Sequence, residues 1–231
     1  MKIAIIGAME EEIQYIRDSI DEYKLLSIKG YKIYIGNTKK NKIFLLESGI
    51  GKTIVTLTTT LLINLYNPDL IINIGTAGSL SSNLKIGDIV ISKSVCYHDV
   101  DMTAFGYMMG QISGFPAEFT ANKSLVIHAK ICANQLKLKS KIGLIVSGDA
   151  FVNNIHSLMK ICKYFPKAVA VEMEATSIAH VCYVFQIPFI AIRSISDTVD
   201  NKSYLNFREH LINSSKKCCK VVNKFLTNVS L

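Results

Sequence analysis

The sequence predicts an α/β protein: a single-domain, three-layer αβα fold around a central mixed, largely parallel sheet, spanning residues 1–231. Three observations carry this. Short apolar runs of strand length alternate with segments of helical period. Several of those runs are apolar throughout, such as 168–171 and 188–192, and 70–74 is apolar but for Asn73, as in strands covered on both faces. With 231 residues, 49% of them hydrophobic and 19% charged, the chain can bury a substantial core. It contains no internal repeat, low-complexity segment or linker.

The elements follow in order. Ile3, Ile5 and Ile6 mark a first buried strand, and Gly7 turns it sharply into a helix over 10–20, where Ile13, Ile16 and Ile20 fall on one face. Segments 31–36 and 42–47 alternate around Asn37-Thr-Lys-Lys-Asn41 as a hairpin. Ser48-Gly-Ile-Gly-Lys52 opens a helix reaching Tyr66; strand 70–74 then runs into a loop, Gly75-Thr-Ala-Gly78. Segments 88–92 and 95–100 read as two further strands. The stretch 103–121 has no clean period and reads as a long ordered loop or flap. Helix 122–137, strand 143–147, the turn Gly148-Asp-Ala-Phe151, helix 155–164, strand 168–171, helix 174–185, strand 189–194 and a last helix near 204–226 complete the chain.

Several function classes are excluded. No apolar run approaches the roughly 18 residues of a membrane helix, and three glutamates follow the first strand where a signal peptide needs small residues. A cytoplasmic protein without a membrane partner is therefore expected. The six cysteines form no C-x-x-C pair and the five histidines no paired-ligand motif, so a metal site is not expected and the thiols read as structural. The net charge of +8 comes almost wholly from scattered Lys, with Arg17, Arg193 and Arg208 as the guanidinium groups. Specific reading of nucleic acid favours clustered Arg forks, so a nucleic-acid partner is not expected either.

The chemistry gathers at strand ends. In open α/β sheets ligands sit beyond the carboxyl ends of strands. After the first strand that place holds Ala8-Met-Glu-Glu-Glu12, three acids that repel phosphate and are suited to holding or deprotonating water. Acids also complement a helix start, and spacing alone does not choose which one turns inward. Gly49-Ile-Gly-Lys-Thr53 is not a triphosphate loop, because Leu46 stands where the motif needs glycine. Glu172-Met-Glu174 follows another strand, and a glutamate there can accept hydrogen bonds from a vicinal diol. Asp197 ends a third apolar run; among apolar residues and other acids its pKa is expected to rise, as a general acid at neutral pH requires. Water activation, diol binding and leaving-group protonation are the tasks in breaking a glycosidic bond through an oxocarbenium-like state.

With these residues assembled, the chain resembles the 5′-methylthioadenosine/S-adenosylhomocysteine nucleosidases of the nucleoside phosphorylase superfamily. The likeness runs in order through Ile3–Glu12, Ser48–Lys52, Asn73–Gly78, Tyr97-His-Asp-Val-Asp101, Ser147–Phe151, Ala170–Ala175 and Arg193–Asp197. It implies a nucleoside phosphorylase-like fold and hydrolysis of 5′-methylthioadenosine and S-adenosylhomocysteine, and of 5′-deoxyadenosine, in methionine salvage. No metal or organic cofactor is implied. Glu12 would activate water and Asp197 protonate adenine N7. Glu174 would bind the ribose hydroxyls beside Met173, Phe151 would stack on adenine, and the Val152 backbone would read its edge. Thr76 and Gly78 would line the floor, with Met9, Ile50, Arg193, Ser196 and Phe207 around it. The family is a homodimer whose neighbouring flap closes the 5′ pocket, which Met102, Phe105 and Tyr107 match. Thr76, Met102 and Ser113 stand where the family often has Ser, Val and Pro. An aminofutalosine-type hydrolase and a purine nucleoside phosphorylase are the alternative readings.

Overall fold

The computed structural model describes residues 1–38, 40–198, 203–227 and 229, with the side chains at 203 and 206 excepted. Ten strands form one mixed sheet: β1 (Lys2–Gly7), β2 (Tyr23–Ile28), β3 (Tyr31–Asn37), β4 (Lys42–Glu47), β5 (Leu70–Ser79), β6 (Ile89–Tyr97), β7 (Phe119–Thr120), β8 (Ser140–Ser147), β9 (Ala168–Glu172) and β10 (Phe189–Thr198). Among the described residues six α-helices accompany them: α1 (Glu10–Arg17), α2 (Lys52–Tyr66), α3 (Lys123–Gln135), α4 (Ile155–Tyr164), α5 (Ala175–Phe185) and α6 (Ser203–Leu226). The strand order is β10-β6-β8-β9-β5-β1-β4-β3-β2, and β10 pairs again with β5. The sheet therefore curls on itself, closing β10, β6, β8, β9 and β5 into a ring while β1 to β4 extend from β5 as an arm.

The three layers follow from strand alternation. On β1, Ile3 and Ile5 pack with Ile13 and Ile16 of α1 and with Val221, Val222 and Phe225 of α6. Ala4 and Ile6 point the other way, into a core shared with Val55 and Leu62 of α2 and Ile178 and Cys182 of α5. Every residue of β5 is buried, as a strand flanked on both edges and both faces must be. All six cysteines are free thiols, and five are buried.

The structure departs from the sequence reading at several bounds. The edge strand β2 was not expected, because Tyr23 and Leu25 are exposed and leave no inward-outward contrast to read. The two strands expected over 88–100 are one strand, β6, whose register against β8 shifts between Ser92 and Ser94; the bulge interrupts the period. Gly75-Thr-Ala-Gly78 is not a loop but the second half of β5, paired with β10. Strand β10 runs on to Thr198, so Asp197 lies within it, opposite Gly78 and just past a register shift. Helix α1 is shorter than its periodicity and ends at Arg17, although Ile20 stays buried. Lys39 in the β3–β4 hairpin turn lies outside the described residues.

Phe225, fully buried, joins α6 to the core it shares with α1 and α3. Phe225→Ala is expected to destabilise the fold by about 3–5 kcal/mol, read as the shift in urea midpoint at unchanged m-value.

Candidate active site

A cavity of about 330 Å³ opens where the carboxyl ends of β1, β5, β9 and β10 converge. Glu12, in the first turn of α1, is buried against it. One carboxylate oxygen accepts from the Thr76 N–H (2.8 Å) and hydroxyl (3.2 Å), the other from the Ala8 N–H (2.9 Å). Burial pushes the Glu12 pKa above its usual value, against the pull of Arg193 and these donors. Its neighbours divide as the helix-start argument anticipates: Glu10 pairs with Arg17 on the surface of the same helix.

The pair at the end of β9 divides likewise. Glu172 turns back to the start of α5, accepting from the backbone N–H groups of Glu174 (3.0 Å) and Ala175 (2.9 Å) and from the Ser147 hydroxyl. Glu174, the N-cap residue of α5, instead accepts from the Gly51 N–H (2.9 Å) and lines the cavity. Burial first, then the Glu172 charge beside it, raises its pKa.

Arg193 lies behind these acids. It is 1% exposed and hydrogen-bonded to the Ile74 carbonyl (3.1 Å), the Asn73 side chain (2.6 Å) and Glu172, with a Glu174 oxygen 3.7 Å away. Gly75 makes this approach possible. Its φ is +145°, and a Cβ there would overlap both the guanidinium and the Glu12 carboxylate. Asp197, 2% exposed, accepts from the Ser196 hydroxyl at 2.8 Å and faces the cavity from β10.

Of the other expected residues, Met9, Ile50, Thr76 and Gly78 line the cavity, as do Phe151, Val152 and Met173. Ser196 and Phe207 complete the wall, the Phe207 ring meeting that of Phe151 edge-on at 5.6 Å. Arg193 does not line it: the guanidinium organises the acids from beneath. Met102, Phe105 and Tyr107 also do not reach the cavity of their own chain; Phe105 is 78% exposed, and the Tyr107 hydroxyl meets Ser113 at 2.7 Å. Glu172 was not singled out as a site residue, nor were the small apolar Ala8, Ala77, Ala150 and Val171, which also line the cavity. The sequence carries a signal for Glu172 in the Glu-Met-Glu pattern, but for the apolar four it carries none.

Chemically, the lining offers four carboxylates (Glu12, Glu172, Glu174 and Asp197) and, among the described residues, no Lys, Arg or His. Among the described residues no group of three or more His, Cys, Asp or Glu is arranged to hold a metal ion, and no helix is long and apolar enough to cross a membrane. Cys218, near Glu12 and Arg193, donates to the Ile192 carbonyl at 3.1 Å; burial pushes its thiol up to about 12, so it stays neutral.

A curled mixed sheet with an acid-lined, otherwise apolar cleft at its strand ends defines an α/β protein with a cavity of small-molecule size. A family model described as the phosphorylase superfamily matches residues 2–227, and the chain belongs to that superfamily. Within it the chain is similar to a 5′-methylthioadenosine/S-adenosylhomocysteine nucleosidase from Neisseria meningitidis in complex with methylthio-immucillin-A, at 38% identity, TM-score 0.97 and 99% of each chain covered. An S-adenosylhomocysteine nucleosidase from Streptococcus pyogenes in complex with 5-methylthiotubericidin matches at 34% identity and TM-score 0.97, over 100% of this chain and 98% of the other. A futalosine hydrolase from Helicobacter pylori matches at 33% identity and TM-score 0.95, over 99% and 98%.

Gly75→Ala is expected to destabilise by more than about 1 kcal/mol through its backbone conformation alone. By displacing Glu12 and Arg193 it should also lose most activity. A Tm and a turnover rate both at wild-type values would show that the close approach at Gly75 is not required.

Proposed function

We propose that the chain hydrolyses the N-glycosidic bond of 5′-methylthioadenosine and S-adenosylhomocysteine, and also of 5′-deoxyadenosine, releasing adenine and the 5′-substituted ribose. The observation that carries this reading is the cavity lining: four acids and, among the described residues, no cation, with Glu12 at the first strand's mouth, where an incoming phosphate would meet a buried carboxylate. Water is the nucleophile such a site admits, which favours hydrolysis over phosphorolysis. The likeness to nucleosidases over nearly the full length supports the same reading.

In this mechanism Glu174 accepts hydrogen bonds from the ribose hydroxyls beside Met173, while Phe151 packs on the purine and the Val152 backbone meets its edge. Asp197 donates its proton to adenine N7, so the base leaves neutral as the glycosidic bond breaks. Glu12 takes a proton from water, whose oxygen bonds to C1′ of the oxocarbenium-like sugar. The steps balance: hydroxyl goes to the sugar, a proton to adenine. No cofactor enters.

The chain would act as one nucleosidase domain in the cytoplasm, serving methionine salvage. Its expected assembly is a homodimer in which Met102, Phe105 and Tyr107 close the partner's 5′ pocket. Exposed Leu57 and Leu65 on α2 and Val184 and Phe185 on α5 support an apolar contact face. An aminofutalosine-type hydrolysis is the second reading, favoured by the likeness to futalosine hydrolase.

Adenine release from 5′-methylthioadenosine is expected in phosphate-free buffer, and turnover that appears only with added phosphate would exclude hydrolysis. Asp197→Asn, lacking the proton donor, should lower kcat by about 10²–10⁴. The pH profile carries a further sign. Glu12 acts ionised and burial raises its pKa from 4.5, so kcat/KM should fall with decreasing pH at a midpoint above 4.5; an acid limb at or below that value would contradict the assignment.

A further inference from the structure

Three loops meet at the cavity rim through a closed cycle of bonds that none of the catalytic steps uses. The Lys52 N–H, at the start of α2, donates to an Asp149 carboxylate oxygen at 2.7 Å. The Asp149 N–H donates to Asp99 at 2.9 Å, and the Lys52 ammonium returns to the same Asp99 oxygen at 2.7 Å. Both side chains of the ion pair are about three-quarters shielded, at 23% and 27% exposure, and the Lys52 ammonium lies 5.3 Å from the centre of the Tyr97 ring. Gly51 has φ +101°, and a Cβ there would lie 2.9 Å from the Asp149 carboxylate, so the approach requires glycine.

The cycle matters because of what its members adjoin. Gly51, immediately before Lys52, is the donor to Glu174, and Ile50 before it lines the cavity. Phe151 and Val152 follow Asp149 by two and three residues and line the opposite wall. Among the described residues, no N–H from 150 to 154 bonds to another group of the protein. The Asp149 N–H is thus the last backbone anchor before α4.

We propose that Lys52, Asp99 and Asp149 form a clasp that fixes the purine-facing wall, Phe151 and Val152, relative to the diol-facing Glu174. Asp149 is its central positioning residue. This rests on the nucleosidase reading for the identity of the ligand parts. With the clasp made, both ends of a nucleoside meet walls already at the right separation, and affinity is not spent on ordering the 149–154 loop. Without it the loop is held by its ends and by the packing of Val152 and Phe151 but, among the described residues, by no backbone hydrogen bond, and substrate binding weakens before chemistry does.

The test compares Asp149→Ala, Asp149→Asn and Asp99→Ala with the wild type. It measures kcat and KM for adenine release from 5′-methylthioadenosine, Kd for adenine by titration calorimetry, and Tm. Loss of one charge-assisted bond predicts about a tenfold rise in KM and adenine Kd for Asp149→Ala and Asp99→Ala, with kcat nearly unchanged. Asp149→Asn keeps an oxygen for the Lys52 N–H and should stay near wild type. A merely structural role would lower Tm and leave KM and Kd unmoved. Unchanged KM and Kd in both alanine variants overturn the proposal, as does an Asp149→Asn as weak as Asp149→Ala. A wild type that binds adenine but releases none overturns the functional reading alone, since the calorimetric comparison needs no turnover. A wild type that does not bind adenine overturns both.

Discussion

One buried guanidinium holds the site together. Arg193 follows the apolar run 189–192 in β10, yet its fork meets Glu172, approaches Glu174 and lies beside Glu12 across Gly75. Three carboxylates removed from water this close together would not all remain ionised on their own. The single cation, fixed from the other side by Asn73 and the Ile74 carbonyl, makes an acidic cavity compatible with a packed core. Because it is 1% exposed and does not line the cavity, it offers no open face to an incoming phosphate.

The same constraint explains why adjacent acids take different work. Glu172 and Glu174 are two residues apart, but only Glu172 turns back to the N-terminus of α5 and to Arg193. Glu174 is left to the cavity, held by a single backbone donor from Gly51. At α1, Glu10 is drawn to Arg17 while Glu12 folds under β5 onto Thr76. In each case two acids two residues apart take different partners, and one of them, Glu12 or Glu174, lines the cavity while accepting from a backbone N–H distant in sequence.

Rigidity is graded outward from this centre. Strands β5 and β10, paired along most of their length, fix Glu12, Thr76, Gly78 and Asp197 with backbone precision. The wall at Phe151 and Val152 belongs to a connecting segment with few backbone bonds, and the flap around Phe105 stands in solvent. The reacting groups therefore sit on the stiffest part of the molecule, and the segments proposed to meet the purine and the 5′ substituent sit on the softest.

The layered α/β plan was legible in the sequence because it depends on local periodicity: Ile13 and Ile16 on one helix face, and the wholly apolar runs 168–171 and 188–192. Acids at three strand ends were legible for the same reason, since each comes a few residues after an apolar run of strand length. What spacing could not decide was which acid turns inward, because Glu10 and Glu12, or Glu172 and Glu174, are equally good helix starters as residue types. Nor could it show the exposed strand β2, the bulge that joins 89–97 into one strand, or the extension of β5 and β10 that puts Gly75 and Asp197 inside strands. The composition and order of side chains determined the layers and the chemistry available. Only the tertiary structure decided which carboxylates face the cavity, because that choice rests on Arg193, Thr76 and Gly51, donors brought from 21 to 181 residues away by the curl of the sheet.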